Sequence, residues 1–151
     1  MVLSGLTGAT FLNNVGFGTI VDDDVLSMLL EESGPNPGQA AAVDALFTVR
    51  DPFPLFVPEW FTSVPQGTRV MLFAQNLRLN PGESPSAVFV RFALDNSVLL
   101  QTPAEDVRAL RESEFTQVVF RLPNGLPPGT YTVQILAHTR LSNGGTIRIV
   151  P

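Results

Sequence analysis

The sequence predicts an all-β protein, an antiparallel β-sandwich of about seven strands with an N-terminal hairpin and linker extension. Three observations predict it. Apolar residues recur at every second position through the later two-thirds of the chain, as they do in strands with one buried face. The 151 residues include 13 Pro and 12 Gly but only 15% charged side chains, a composition of short strands joined by many turns. The segment Gly125 to Val150 reads as strand, turn and strand. In it Tyr131, Val133, Ile135 and Ala137 form one row, the turn falls at Ser142-Asn143-Gly144-Gly145, and Ile147 and Ile149 return antiparallel. Ahead of this pair Pro127-Pro128-Gly129 makes a tight corner. Tyr131 suits the place just after it, with its ring in the core and its hydroxyl tying down the corner backbone.

The elements follow in order. Residues 1–24 pass from a strand-like start through a polar turn at Asn13-Asn14 to Thr19-Ile20-Val21 and three aspartates. This is a hairpin with too little apolar surface to stand alone. Residues 25–44 read as a linker. Its first eight residues are too few for periodicity to separate a strand from helical turns capped by Asp24, and the strand is favoured. Ser33 to Gly38 is a breaker, and Gln39 to Ala42 a small-residue spacer.

Residues 45–151 form the sandwich. Leu46 to Arg50 is expected to be its first strand, with Phe47 and Val49 inward, before a Pro-rich excursion holding Pro52, Pro54, Pro58 and Pro65. Inner rows follow at Val70, Leu72 and Ala74, then at Val88, Val90, Phe92 and Leu94. A turn at Asp95-Asn96-Ser97 leads into a short strand from Val98 to Gln101. Thr102 to Ser113 reads as a polar connection with room for a helical turn, and Thr116, Val118, Phe120 and Leu122 form the last inner row before the closing pair.

Composition excludes several functions. A net charge of −5 with nine Arg and no Lys argues against nucleic acid as a partner, because such surfaces depend on clustered cations. The chain has no Cys, so disulfides, thiol catalysis and thiolate metal sites are excluded. Apolar runs such as Val25 to Leu30 are too short for membrane insertion, and the N-terminus carries no signal-peptide pattern.

The candidate sites are few. Asp22, Asp23 and Asp24 are the metal candidates, since consecutive carboxylates at a strand end supply part of the six to eight oxygens that calcium takes. Their plain alternative is an acidic cap or a solvated linker. Phe53, Phe56, Trp60 and Phe61 in the Pro-rich excursion are the ligand candidates. They either present a stacking surface to a sugar or a protein, or plug one end of the sandwich, which is how large aromatics are more often used. Glu105, Asp106 and Arg108 read as a surface salt-bridge network, with Arg111, Glu112 and Glu114 nearby. The five outward arginines Arg50, Arg69, Arg91, Arg121 and Arg148 read as a solvated face. The single His138 leaves no His-rich metal site and no recognisable triad, so no catalytic residues and no enzymatic activity are expected.

Two stretches carry a resemblance. V-L-S-x-x-T-G-A-T at Val2 to Thr10, followed by G-x-G-T-I-V-D-D-D at Gly16 to Asp24, resembles the last two strands of a Calx-beta domain. T-R-V-x-L-F at Thr68 to Phe73, F-T-Q-V-x-F-R-L-P at Phe115 to Pro123, L-x-x-G-T-Y-T-V at Leu126 to Val133 and S-N-x-G-T-I-R-I at Ser142 to Ile149 resemble an immunoglobulin-like sandwich of the IPT/TIG kind. The second resemblance covers nearly all of residues 45–151.

Together they imply a non-catalytic structural or adhesion module at the C-terminal end of a large exported bacterial protein, with Met1 an internal start. Its place would be extracellular or at the cell surface, and its partners the neighbouring β-domains of the same parent or a glycan or protein on a surface. No cofactor is expected beyond calcium in the full-length parent. The alternatives are a carbohydrate-binding accessory module using the loop aromatics and a calcium-binding repeat fragment.

Overall fold

The structure is a computed structural model that describes residues 25–32, 37–95 and 97–151. The Calx-beta-like stretch, and Asp22, Asp23 and Asp24 with it, lies outside the described residues. The elements in chain order are β1 (Ser27–Met28), β2 (Ala42–Asp44), β3 (Phe53–Pro54), β4 (Arg69–Gln75), a 3-10 turn (Pro85–Ala87), β5 (Phe89–Leu94), β6 (Ser97–Ala109), β7 (Phe115–Arg121), β8 (Gly129–Ala137), β9 (Arg140–Leu141) and β10 (Gly145–Val150). The protein is all-β as expected. No α-helix occurs among the described residues, and no helix there is long and apolar enough to cross a membrane.

The sheet runs β1-β4-β7-β6-β5-β8-β10-β3, with β2 on β4 and β9 on β8. It curls on itself at β6. The first part of β6 pairs with β5 and the second with β7, and the register shifts between Ala104 and Asp106, a bulge that re-aims the strand from one layer to the other. Phe92 of β5 and Phe120 of β7 then meet across the interior with ring centroids 5.8 Å apart. The inner rows expected from the alternation are buried: Val70, Leu72 and Ala74; Val88, Val90 and Phe92; Thr116, Val118, Phe120 and Leu122; Tyr131, Val133, Ile135 and Ala137; Ile147 and Ile149. The corner expected at Tyr131 is also present, its ring buried and its hydroxyl donating to the Pro127 carbonyl at 2.7 Å.

Several expectations are corrected. Leu46 to Arg50 is not a strand. The buried Asp44 carboxylate accepts the amides of Leu46 and Phe47, both at 2.7 Å, and wraps the chain into a turn that leaves Phe47 and Val49 outside. Thr102 to Ser113 holds no helical turn, because β6 continues to Ala109 along β7. Leu94 is exposed at the hairpin tip.

The closing reversal lies at His138-Thr139, which both take positive φ (49° and 66°), and not at Ser142 to Gly145. Those residues are occupied elsewhere. Ser142 Oγ accepts the Ile135 amide at 2.8 Å, and the Asn143 side-chain amide pairs with both backbone groups of Met28, at 2.6 and 3.0 Å. The sheet is mixed, since β3 runs parallel to β10. The stretch read as a linker contributes β1, β2 and the buried Leu26, Met28, Ala40 and Ala42 to the same core.

Candidate functional site

The Pro-rich excursion is a loop closed at its neck and open at its tip. Phe53 lies on β3, 1% exposed, and Val57 is buried as well, so the base of the loop is anchored in the core. Backbone bonds Thr68 N to Leu55 O (3.0 Å) and Val57 N to Gln66 O (2.8 Å) close the neck. Gly67 is required there, because a Cβ would stand 2.5 Å from the Leu122 carbonyl oxygen. Above the neck the Phe61 amide donates to Pro58 O at 2.9 Å, and Thr62 Oγ1 donates to Val64 O at 2.9 Å.

This frame carries Trp60 and Phe61 outward, at 78% and 52% exposure. The Asp44 turn brings Phe47 against both rings, with centroids 5.7 Å from Trp60 and 5.4 Å from Phe61, while Trp60 and Phe61 lie 6.1 Å apart. The interplanar angles of 43°, 77° and 87° make a three-dimensional knob and not a flat platform. Of the four aromatics singled out from the sequence, the structure therefore brings together Trp60 and Phe61. It leaves Phe56 half-exposed at the neck and buries Phe53. Trp60 is no end plug. Phe47 was missed, and the signal that points to it is Asp44 two and three residues ahead of the amides it captures.

Two depressions flank this region. One, of about 220 Å³, lies beside the knob and is lined by Leu29, Glu31, Ala41, Val43, Arg50 and Phe73. The Asp44 turn bearing Phe47 connects Val43 to Arg50, which also bridge to each other, so knob and groove adjoin. The other, of about 510 Å³, is polar and sits where the partner strand of β10 is interrupted between Gln39 and Phe53. Asp51 fills that break by accepting the Arg148 amide. Burial pushes the Asp51 carboxyl above its ordinary value, against the pull of the Arg148 amide and charge.

Seven of the remaining charged candidates stand in polar pairs, Arg50, Arg69, Glu105, Asp106, Arg108, Arg121 and His138, while Arg91 Nε is buried with no hydrogen-bond partner. Glu105, at the bulge of β6, accepts from Arg69 Nε at 2.5 Å and Arg121 Nε at 2.9 Å, two arginines set directly opposite on β4 and β7. Partial burial pushes its carboxyl up, but the two arginines together outweigh that and hold it below the ordinary value. Asp106 pairs with Arg108 at 3.3 Å, and Arg50 with Glu31 at 3.2 Å. His138 contacts Glu83 at 2.7 Å and Asn80 at 3.3 Å. The Asn80 amide, and after it His138, hold the Glu83 carboxyl low. No group of three or more His, Cys, Asp or Glu among the described residues is arranged to hold a metal ion. No protein-family model, curated protein or solved structure matches the chain.

Proposed function

We propose that the chain is a non-catalytic structural or adhesion module of a larger exported protein, an immunoglobulin-like domain that works outside the cell by surface contact. The observation that carries this reading is the Phe47-Trp60-Phe61 knob. Trp60 and Phe61 stand exposed on a loop whose neck is fixed by backbone bonds, and Phe47 beside them on a turn fixed by the Asp44 carboxylate, so much of their ordering cost is met before any partner arrives. Aromatic side chains held this way are the usual anchors of protein contacts. The engagement of Glu105 by two arginines, and of His138 by Glu83, supports a structural use of the ionisable groups over a catalytic one.

A carbohydrate-binding module is the second reading, and the free face of Trp60 favours it. The tilted rings weigh toward a protein partner, because a sugar stacks on a single plane and these three rings share none.

Beads coated with the chain test the reading against a panel of immobilised extracellular proteins and, in parallel, a glycan array. Adhesion to protein that is lost in Trp60→Ala, with an unchanged melting temperature, is the expected result. Glycan binding lost in the same variant would move the assignment to the carbohydrate module, and indifference of both panels to Trp60→Ala would end the contact-surface reading.

A further inference from the structure

We infer that the knob docks into the adjoining groove of a second copy of this chain, so that two molecules exchange Trp60 side chains about a two-fold axis. The inference rests on the reading of the aromatic knob as a contact surface, and it names the partner. Three features of the structure converge on it.

First, knob and groove adjoin through the Val43 to Arg50 turn, which carries Phe47 and whose two ends line the groove. A two-fold contact needs a projection and its receptor on the same patch, because residue i of one copy meets residue j of the other and the reverse holds at once. Second, the groove is walled by the apolar side chains of Leu29, Ala41, Val43 and Phe73, and its volume of about 220 Å³ suits a single large aromatic side chain. Third, the charges match. The residue before Trp60 is Glu59, exposed at the loop tip, and the groove is rimmed by Arg50, whose side chain is 75% exposed and holds the neighbouring Glu31 at 3.2 Å through Nη1, with its other guanidinium nitrogens left for a second carboxylate. Seating Trp60 in the partner's groove brings Glu59 to the partner's Arg50. The exchange closes after two molecules, so it yields a dimer and not a filament.

Sedimentation equilibrium of the full chain, from about 1 μM to about 1 mM, tests the proposal over the range in which small interfaces assemble. Trp60 is the only tryptophan in the chain, so its emission reads the same event. The expected result is a concentration-dependent dimer whose formation shifts Trp60 emission to the blue and protects it from iodide.

Glu59→Arg and Arg50→Glu should each weaken the dimer by about tenfold or more, and the chain carrying both exchanges should recover most of that loss. The recovery separates a real contact from a folding defect. A monomer at every concentration, a dimer with unshifted Trp60 emission, or two exchanges that fail to compensate would each overturn the proposal. If self-association fails while Trp60→Ala still abolishes adhesion to immobilised protein, only the identity of the partner is wrong. If Trp60→Ala changes neither, the contact-surface reading falls with it.

Discussion

The molecule holds two aromatic triads that are alike in geometry and opposite in setting. Phe92, Phe120 and Tyr131 meet inside it with centroids 5.8 and 6.2 Å apart and rings near perpendicular, and none is more than 2% exposed. Phe47, Trp60 and Phe61 meet outside it at 5.4 to 6.1 Å, and the least exposed of them is 36% open to solvent. Ring-on-ring contact is worth a similar ~0.5–1.5 kcal/mol in either place. What differs is the area removed from water. The inner triad joins the two layers, and its burial is spent on stability. The outer triad leaves most of its area uncovered, so the same chemistry is available to a partner.

Substitutions at the two triads and their supports break or sharpen this contrast. Phe120→Ala should cost about 3–5 kcal/mol in a urea titration, since the closely packed interior cannot collapse around the void. A loss under about 1 kcal/mol would mean that the layers are held by something other than that triad.

Tyr131→Phe keeps the ring and removes only the bond to Pro127 O, so the expected loss is about 1 kcal/mol, read from the same titration.

Glu105→Gln tests the charged face of β4, β6 and β7, where half-exposed pairs contribute up to about 1 kcal/mol. The folded carboxyl titrates below its ordinary 4.5, so its contribution is present above pH 4.5 and is lost as pH falls through the folded value. Melting temperatures of wild type and Glu105→Gln should therefore differ at neutral pH and converge on acidification.

Trp60→Ala should move stability least, within about 0.5 kcal/mol, because so little of the side chain is buried. A fall comparable to that of Phe120→Ala would erase the distinction between the triads.

The inner triad and its surroundings were legible in the sequence because burial writes itself as alternation. Every second residue from Val70 to Ala74, from Thr116 to Phe120 and from Tyr131 to Ala137 faces inward, and the Tyr131 corner could be anticipated from Pro127-Pro128-Gly129. The outer triad was half legible. Trp60 and Phe61 stood out as aromatics among prolines, yet Phe47 sits in a stretch whose alternation mimics a strand. Its true course is set by the Asp44 carboxylate, a local hydrogen-bonding choice that periodicity does not record.

The reversal at His138-Thr139 was hidden for a related reason. The Asn-Gly signal four residues on is real turn chemistry, but Asn143 spends its amide on Met28, 115 positions away in the chain. Small residues misled in the other direction. Ala40 and Ala42 look like a spacer, and they are small because they lie against the core beside Met28 and Leu30.

The single strand β6 belongs to both layers, turning at Glu105 from one to the other. Its 13 residues reach about 43 Å, so a stress entering at either layer travels along one covalent backbone into the other. Damage to β6 is therefore felt on both sides of the interior at once.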